Sequence, residues 1–384
     1  MIEKAIQGGK SYYSWLALLV GIMLIGAYYW VRQFTEGLGI TGLSRDVTWG
    51  FYIAQFTFLV GVAASAVMVV LPYYLHNFKA FGKITILGEF LAIGAVLMCM
   101  SFIFVDMGQP FRILNVFLHP SPHSMMFWDT VVLFGYLLLN ILISSVSMQA
   151  EKKGVAPPKW IKPFIILSIP WAFSIHTVTA MLYSGLAARP FWMTAVLGPR
   201  FLASAFAAGP ALLILLAMLL RRLSKFDAGD RAINQLAMII TYALGINLFF
   251  VAMELFTAFY SGIPEHISHF KYLFVGLEGN NFLVGWMWVS MLLGVSAFVL
   301  LVNPKTRKNY KVLAFACVAV FVSLWIEKGL GLVITGFIPS PLGEVVSYVP
   351  TLPEVMIGLA IWALGAFVVT VLYKMTLNLR ERWG

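Results

Sequence analysis

Ionisable side chains that could exchange protons stand out in this sequence because long apolar stretches surround them. A histidine, with an ordinary pKa near 6.5, gains and loses a proton readily at neutral pH. Carboxylates can do the same where their surroundings raise their pKa. These residue types in apolar surroundings indicate chemistry that moves protons. The candidates are Asp106, Asp129, His176, Glu254, Glu327 and Lys328, with Arg112 in a short polar stretch and Glu89 apart from the rest.

Two kinds of site fit these residues, and a third interpretation needs no site. A quinol gives up two electrons and two protons, so its site needs a base for each hydroxyl and flat apolar walls for the ring. His176 with Asp106 or Glu254 could supply the bases. A proton-coupled secondary transporter would use the same residue types. In a passive membrane anchor, Asp106 and Asp129 would cap helix ends, Arg112 would brace Asp106, and His176 would be a hydrogen-bonded packing residue.

The composition places these residues in a membrane protein. Hydrophobic residues make up 61% of the 384 positions and charged residues 11%, against roughly 45–50% and about 25% in soluble domains. A helix needs about 20 apolar residues to cross a bilayer. The sequence therefore predicts an all-α integral membrane protein, a single polytopic domain over residues 1–384. Its ten predicted transmembrane helices are Tyr12–Val31, Trp49–Tyr74, Ile84–Val105, Met125–Ser147, Pro163–Tyr183, Phe201–Leu220, Ile233–Phe259, Val284–Val302, Val312–Ile334 and Leu352–Tyr373.

The distribution of Lys and Arg predicts the orientation of the chain. Of the 26 basic residues, 19 lie in the two ends and the loops after even-numbered spans, and six lie in the loops after odd-numbered spans. Arg200 is counted among those six, just before the sixth predicted span. Because cytoplasmic loops carry the excess of Lys and Arg, we expect both termini, Met1–Ser11 and Lys374–Gly384, in the cytoplasm. The protein would then lie in the cytoplasmic (inner) membrane.

The orientation places most of the ionisable residues in one outer layer. Odd-numbered spans run outward, so late residues such as Asp106 and Glu254 lie toward the outer face, with Asp129 at the outer edge. Glu89 alone lies deep near the inner face, and with Glu327 and Lys328 it forms a possible proton path. Adjacent residues point about 100° apart on a helix, so Glu327 and Lys328 cannot simply face each other. At least one of them needs a partner from another helix.

Residues that could hold a redox centre are scarce. Cys99 and Cys317 lie inside predicted helices, and no CxxC or CxxCH motif is present. Of the six histidines, only His176 lies deep in a span, whereas two facing histidines most often hold haem b. We therefore expect no haem and no iron–sulfur cluster on this chain, and no metal ligands. If electrons move here, a partner protein holds the redox centres.

Four stretches resemble the NrfD/polysulfide reductase C-type family of membrane quinol subunits. They span predicted helices two to seven, and the Asp-x-Gly-x-Pro-x-Arg motif before a proline-rich turn is the most specific part. The resemblance implies an NrfD-like fold, with two four-helix bundles of spans two to five and six to nine plus flanking helices. The stretches are SRDVTWGFYIAQFTFLVGVAASAVMV from Ser44, VDMGQPFRILNVFLHPSPHSMMFWD from Val105, SIHTVTAMLYSGLAARPFWMTAVLGPRFLASAFAAGPAL from Ser174 and LFFVAMELF from Leu248.

The resemblance also implies a function and a set of site residues. It implies a menaquinone or menaquinol site near the outer face, with His176 and Asp106 as its polar residues and Arg112 and Glu254 carried over less directly. The sequence departs from the family pattern in two places. Gln109 stands where the family motif usually has Arg, and Leu182–Ser184 stands where many relatives have an Asp after the histidine.

The closer likeness is to family members of dissimilatory sulfur metabolism, the DsrP subunits. Two stretches carry it, GLGITGLSRDVTWGFYIAQFT and AASAVMVVLPYYLHNFKAFGKITILGEFLAIGAVLMC. That likeness implies a periplasmic iron–sulfur subunit like DsrO as electron partner. It also implies a multihaem cytochrome c like DsrJ, a haem b membrane subunit like DsrM and a cytoplasmic iron–sulfur subunit like DsrK.

Overall fold

The computed structural model describes residues 8–380, with side chains to residue 376. The predicted ends Met1–Ser11 and Lys374–Gly384 therefore lie partly outside the described residues. The all-helical membrane fold is confirmed, since ten helices are long and apolar enough to span a bilayer. These spans are α1 (Lys10–Glu36), α2 (Phe51–Leu75), α3 (Thr85–Asp106), α4 (Met125–Lys153), α5 (Lys162–Ser184), α6 (Leu197–Leu223), α7 (Asp230–Ser261), α8 (Phe282–Val302), α9 (Tyr310–Thr335) and α10 (Leu352–Arg380).

The helices pack as two four-membered rings. In the first bundle, α2 packs on α3, α3 on α4, α4 on α5, and α5 returns to α2. In the second, α6 packs on α7, α7 on α8, α8 on α9, and α9 returns to α6. The flanking helices α1 and α10 pack on each other, and α10 also contacts α3. The predicted pair of bundles with flanking helices is therefore observed, and the bundles meet where α6 contacts α2 and α5.

Helix α2 is interrupted, which the sequence did not predict. It consists of Phe51–Ala63 and Val67–Leu75, and the turn between them is tightened by a hydrogen bond from Ser65 N to Val62 O of 3.0 Å. The backbone of α6 approaches this turn closely at Gly209, where an added Cβ would lie 2.8 Å from Ser65 N.

Helices α5 and α7 continue through Pro170 and Gly245, although proline and glycine are the residues that most often interrupt a helix. A helix in a membrane tolerates a proline when neighbouring groups satisfy the freed backbone. The interruption in α2 instead lies where α6 packs closely against it at Gly209.

Helix α9 changes its winding in its C-terminal half. It is α-helical over Tyr310–Leu324, a π-helix over Trp325–Gly331 and α-helical again over Leu332–Thr335. Segments of π-helix are rare and frequently occur at functional sites. This one, the π-segment below, contains both Glu327 and Lys328.

Helix α6 begins earlier than predicted. The prediction started it at Phe201 and counted Arg200 as an outer-loop residue, but the helix starts at Leu197, and Arg200 is buried in its first turn. An arginine lowers the local hydropathy, so a predicted transmembrane span normally ends beside it. Here its charge is compensated by carboxylates from other helices, so the helix continues through it.

A short helix, Pro264–Phe274, lies between α7 and α8 and is called the outer helix below. It is fixed to the end of α9 by His269, whose Nδ1 lies 3.0 Å from the carbonyl oxygens of both Thr335 and Ile338. Since carbonyl oxygens only accept hydrogen bonds, Nδ1 carries the proton and donates.

A candidate site of buried ionisable residues

Three helices of the second bundle bring together an arginine and two carboxylates. Arg200 of α6 donates through Nη1 to Glu254 of α7 and through Nη2 to Glu327 of α9. Asn247 Nδ2 donates to the other oxygen of Glu327 at 3.3 Å. We call Arg200, Glu254, Glu327 and Asn247 the carboxylate cluster. A guanidinium between two carboxylates compensates much of their burial cost, which would be several kcal/mol per unpaired ion.

Lys328 lies beside the carboxylate cluster, at the contact between the bundles. Its Nζ donates to Phe201 O at 3.3 Å and lies 4.2 Å from the centre of the Phe201 ring. A Cβ on Gly61 of α2 would lie 3.3 Å from the same Nζ. Within the described part of the chain no carboxylate lies within salt-bridge distance of it. A carbonyl and an aromatic face therefore compensate this buried cation.

His176 of α5 is completely enclosed, with 0% of its surface exposed. Neither ring nitrogen has a hydrogen-bond partner among the described residues. A packing histidine would normally satisfy at least one nitrogen, because a buried polar atom without a partner costs about 1–3 kcal/mol. The interpretation of His176 as a hydrogen-bonded packing residue is therefore wrong. Lys328 acts on the imidazole electrostatically across the bundle contact.

Asp129 of α4 faces the helix that carries His176. Its Oδ1 accepts a hydrogen bond from Thr179 Oγ1 at 2.6 Å, and its residue surface is only 4% exposed. Asp129 is therefore buried between α4 and α5 and does not face water. Thr179 is three residues after His176, so the two side chains lie on the same side of α5.

Asp106 ends α3, where its Oδ1 is buried and has no partner among the described residues. Tyr52 and Glu354 are close enough to act on it electrostatically. Arg112 is exposed in the short helix Pro110–Leu114 and forms no ion pair with Asp106 in the part of the chain that the structure describes. The structure therefore does not bring Arg112 and Asp106 together as a brace.

Glu89 lies near the opposite end of α3, 17 positions before Asp106, or about 25 Å along the helix axis. It is 3% exposed, and its Oε2 has no partner among the described residues. The preceding residue, Gly88, accepts a hydrogen bond from Ser65 Oγ at 3.2 Å. Glu89 thus lies next to the interruption in α2.

The predicted residues fall into separate groups across both bundles. Glu254 and Glu327 meet through Arg200, whereas His176 and Asp129 belong to α5 and α4 of the first bundle. Sequence reasoning missed Arg200. A signal for it existed, because two carboxylates inside spans required a cation, and Arg200 directly precedes a predicted span.

Side chains that could bind a metal are dispersed over the fold. Over the described residues 8–380, no group of three or more His, Cys, Asp or Glu side chains is arranged to hold a metal ion. Cys99 and Cys317 are both buried and unpaired.

Similarity to known proteins agrees with this membrane architecture. A protein of Halobacterium salinarum named as a membrane subunit of dimethyl sulfoxide reductase is 28% identical, covering 84% of this chain and 77% of its own. A selenate reductase subunit of Mesobacillus selenatarsenatis is 23% identical, covering 74% of each chain. An Hdr-like menaquinol oxidoreductase integral membrane subunit of Archaeoglobus fulgidus is 23% identical, covering 82% of this chain and 77% of its own.

The family match covers most of the chain. Residues 39–338 of the 384 match the family described as polysulphide reductase, NrfD. The matched region runs from the segment before α2 to the end of α9 and so includes both bundles and every residue of the carboxylate cluster. This multi-pass integral membrane protein belongs to the NrfD family.

Proposed function

We propose that this chain is the membrane subunit of a redox complex that exchanges electrons and protons with menaquinol. Three relatives named as subunits of two reductases and of a menaquinol oxidoreductase support it. The likeness to sulfur-metabolism members supports a complex of sulfur or sulfate respiration in the cytoplasmic membrane. Its partners would be the periplasmic iron–sulfur, multihaem cytochrome c, haem b and cytoplasmic iron–sulfur subunits implied by that likeness.

The observation that carries the proposal is the enclosed imidazole of His176. It combines complete burial with two unpartnered nitrogens, and a neutral imidazole has a nitrogen that can accept a proton. A passive anchor has no reason to bear the cost of such a group. A proton acceptor does, because its nitrogen must be free to receive the proton.

In the proposed reaction, this chain takes up the protons and its partner takes up the electrons. Menaquinol loses two electrons and two protons and becomes menaquinone. The electrons pass to the iron–sulfur subunit, and the protons pass to bases of this chain and then to the outer water. His176 and Asp106, each with an unpartnered buried atom, are the proposed bases. Glu254 is proposed to receive protons through the carboxylate cluster, and Arg112 to act at the outer surface.

The test is quinol-dependent reduction of the partner's iron–sulfur centres in membranes with matched subunit levels. A positioned base typically contributes 10²–10⁴-fold, so His176→Ala should lower the rate by roughly 100-fold or more. Asp106→Asn should also lower it. His123→Ala is the matched control, because His123 is exposed in a loop and should leave the rate unchanged. Near-parental rates in both His176→Ala and Asp106→Asn would contradict the proposed bases.

A proton-coupled transporter is the second candidate, and the interrupted α2 favours it. Transporters often have broken helices beside their coupling sites, and Glu89 lies next to this interruption. If Glu89 admits protons from the cytoplasm, Glu89→Gln should preserve quinol oxidation in detergent and reduce proton movement in sealed vesicles. Proton movement in the parent without any quinol would favour the transporter. Equal movement in parent and variant would remove Glu89 from the path.

A further inference from the structure

We propose that a groove between the end of α6 and the start of α9 binds an anionic phospholipid, with the phosphate at two cations and an acyl chain along an apolar wall. This site is independent of the proposed function and lies apart from the residues that carry it. The groove, called the basic groove below, has a volume of about 430 Å³. Its lining includes the apolar residues Leu215, Met218, Leu219 and Ala314 and the cations Arg222 and Lys311.

One face of α6 supplies both the apolar wall and a positive charge. Leu215, Met218, Leu219 and Arg222 stand at positions i, i+3, i+4 and i+7, so they form a single stripe along the helix. Seven positions correspond to about 10 Å along the axis. Because Arg222 belongs to the last turn of α6, the charge lies at the edge of the span and the apolar residues lie toward the bilayer centre. A phospholipid has the same order of polar and apolar parts.

Helix α9 forms the opposite wall with the same order of charge and apolar surface. Lys311 lies in its first turn and Ala314 follows three positions later, so both side chains lie on the same side of the helix. The end of α6 and the start of α9 meet at one face of the membrane, which brings Lys311 to the level of Arg222. The small side chain of Ala314 leaves the apolar part of the basic groove open.

A third cation, Arg221, already compensates the acidic residues beside the basic groove. Its Nε lies 3.8 Å from Asp227 Oδ1, and its Nη1 lies 3.4 Å from Asp230 Oδ1. Tyr310 OH donates to the same Asp230 oxygen at 2.5 Å, and the centre of its ring lies 5.2 Å from the Arg221 guanidinium carbon. These contacts hold Arg221 and both carboxylates together and leave the other two cations for a ligand.

Arg222 and Lys311 thus carry uncompensated positive charge. Among the side chains that the structure describes, no carboxylate lies within salt-bridge distance of either one. An arginine fork matches the geometry of a phosphate, and a lysine binds it as a point charge. Basic pockets between transmembrane helices bind anionic headgroups on the cytoplasmic side, where the predicted orientation places this end of the bundle. A zwitterionic lipid brings its own cation, so the basic groove should prefer an anionic lipid.

Native mass spectrometry of the full chain in detergent tests the preference. Phosphatidylglycerol and phosphatidylcholine with the same acyl chains are titrated separately, and we expect phosphatidylglycerol to bind at least 10-fold more tightly. Arg222→Gln and Lys311→Gln should each weaken its binding by about 5-fold, the equivalent of roughly 1 kcal/mol. Lys152→Gln is the matched control, because it removes an exposed cation at the end of α4 and should bind like the parent.

A second variant tests the apolar part of the basic groove without changing any charge. Ala314→Phe fills the space between the helices and should weaken the binding of both lipids. The Tm of each variant in detergent without added lipid should equal that of the parent, because the changed side chains are exposed or half-buried. A loss of affinity at an unchanged Tm then reports on lipid binding and not on folding.

Three results would overturn the anionic lipid site. Equal affinities for the two lipids would show that the groove holds hydrocarbon without selecting charge. Phosphatidylglycerol binding that is unchanged in the Arg222→Gln, Lys311→Gln double variant or in Ala314→Phe would place the lipid elsewhere. Displacement of the bound lipid by millimolar inorganic phosphate would assign the cations to a free anion. Quinol-dependent electron transfer is measured separately, so the proposed function can stand or fail without this site.

Discussion

At the scale of single residues, Arg200 is the side chain on which the second bundle most depends. It is the sole described cation bonded to Glu254 and Glu327, and all three side chains are at most 11% exposed. Removing one partner of a buried ion pair leaves an uncompensated charge, which typically costs 3–5 kcal/mol. Replacing every member by neutral groups is much less costly.

Arg200→Gln should therefore destabilise the protein strongly. We expect a loss of about 3–5 kcal/mol, seen as a lower Tm of the detergent-solubilised chain and a lower level in the membrane. The triple variant Arg200→Gln with Glu254→Gln and Glu327→Gln should recover most of the loss. An unchanged Tm in Arg200→Gln, or a triple variant as unstable as the single one, would contradict the pairing.

Candidate site residues could be predicted from the sequence only where the residue type is itself unusual inside a transmembrane span. His176, Glu254 and Glu327 stand out because charge inside an apolar span is rare. Gln55 did not stand out, because an amide in a span carries no charge. Its hydrogen bonds come from Trp325 and Trp362, which are 270 and 307 positions away in the sequence. Contacts over such separations follow from packing and not from local pattern.

At the scale of elements, the interruption of α2 packs closely against a glycine in another helix. An added Cβ on Gly209 would meet backbone atoms of Ser65 and Val62 within 3.2 Å, and backbone cannot move aside as a flexible side chain does. Gly209→Ala should cost about 1–3 kcal/mol through overpacking. Gly285→Ala in α8 is the control, because nothing lies within 4 Å of its added Cβ. Equal Tm values for the two variants would show that α6 can move away.

The outer helix should detach in acid. Burial lowers the pKa of His269 to about 4, opposed by the hydrogen bonds to Ile338 and Thr335, with His266 and Arg189 lowering it further. The unfolded chain, with a pKa near 6.5, binds this proton more readily. Stability from neutral His269 is thus full above pH 6.5 and is lost as the pH falls toward 4, by up to about 3 kcal/mol.

Melting curves from pH 7 to pH 4 test this dependence. His269→Asn keeps an N–H donor without a titrating ring, so its Tm should fall less over this range than that of the parent. Parallel curves for parent and variant would exclude His269 as the group responsible.

At the scale of the whole molecule, the orientation of the chain remains a prediction from its Lys and Arg residues. The two native cysteines are buried, so an introduced cysteine can be labelled with little background. In intact cells, a membrane-impermeant maleimide should label His119→Cys, in the exposed loop before α4, and not Lys152→Cys at its other end. After permeabilisation both should react. The reverse pattern would invert the orientation and place the ionisable residues of the outer layer near the cytoplasm.

The overall architecture was far easier to predict than its interruptions. The ten spans follow from hydropathy, because a bilayer requires a long apolar helix at each crossing. The grouping into two bundles came from the family resemblance. Hydropathy is equally high on both sides of the Ala64–Ala66 turn and of the π-segment, so neither could be predicted from it. Both irregularities depend on how the neighbouring helices pack against them.

The pairing of α1 with α10 has a consequence for the order in which the protein is made. Trp15 Nε1 donates to Thr370 Oγ1 at 3.2 Å, and a Cβ on Gly26 would lie 2.1 Å from that of Ala360, a close crossing of the kind that small residues permit in membranes. The ribosome synthesises these residues more than 300 positions apart. Helix α1 must therefore remain in the bilayer without α10 until the eight helices between them in the sequence have been inserted. Formation of this contact therefore requires that all ten described spans have been synthesised.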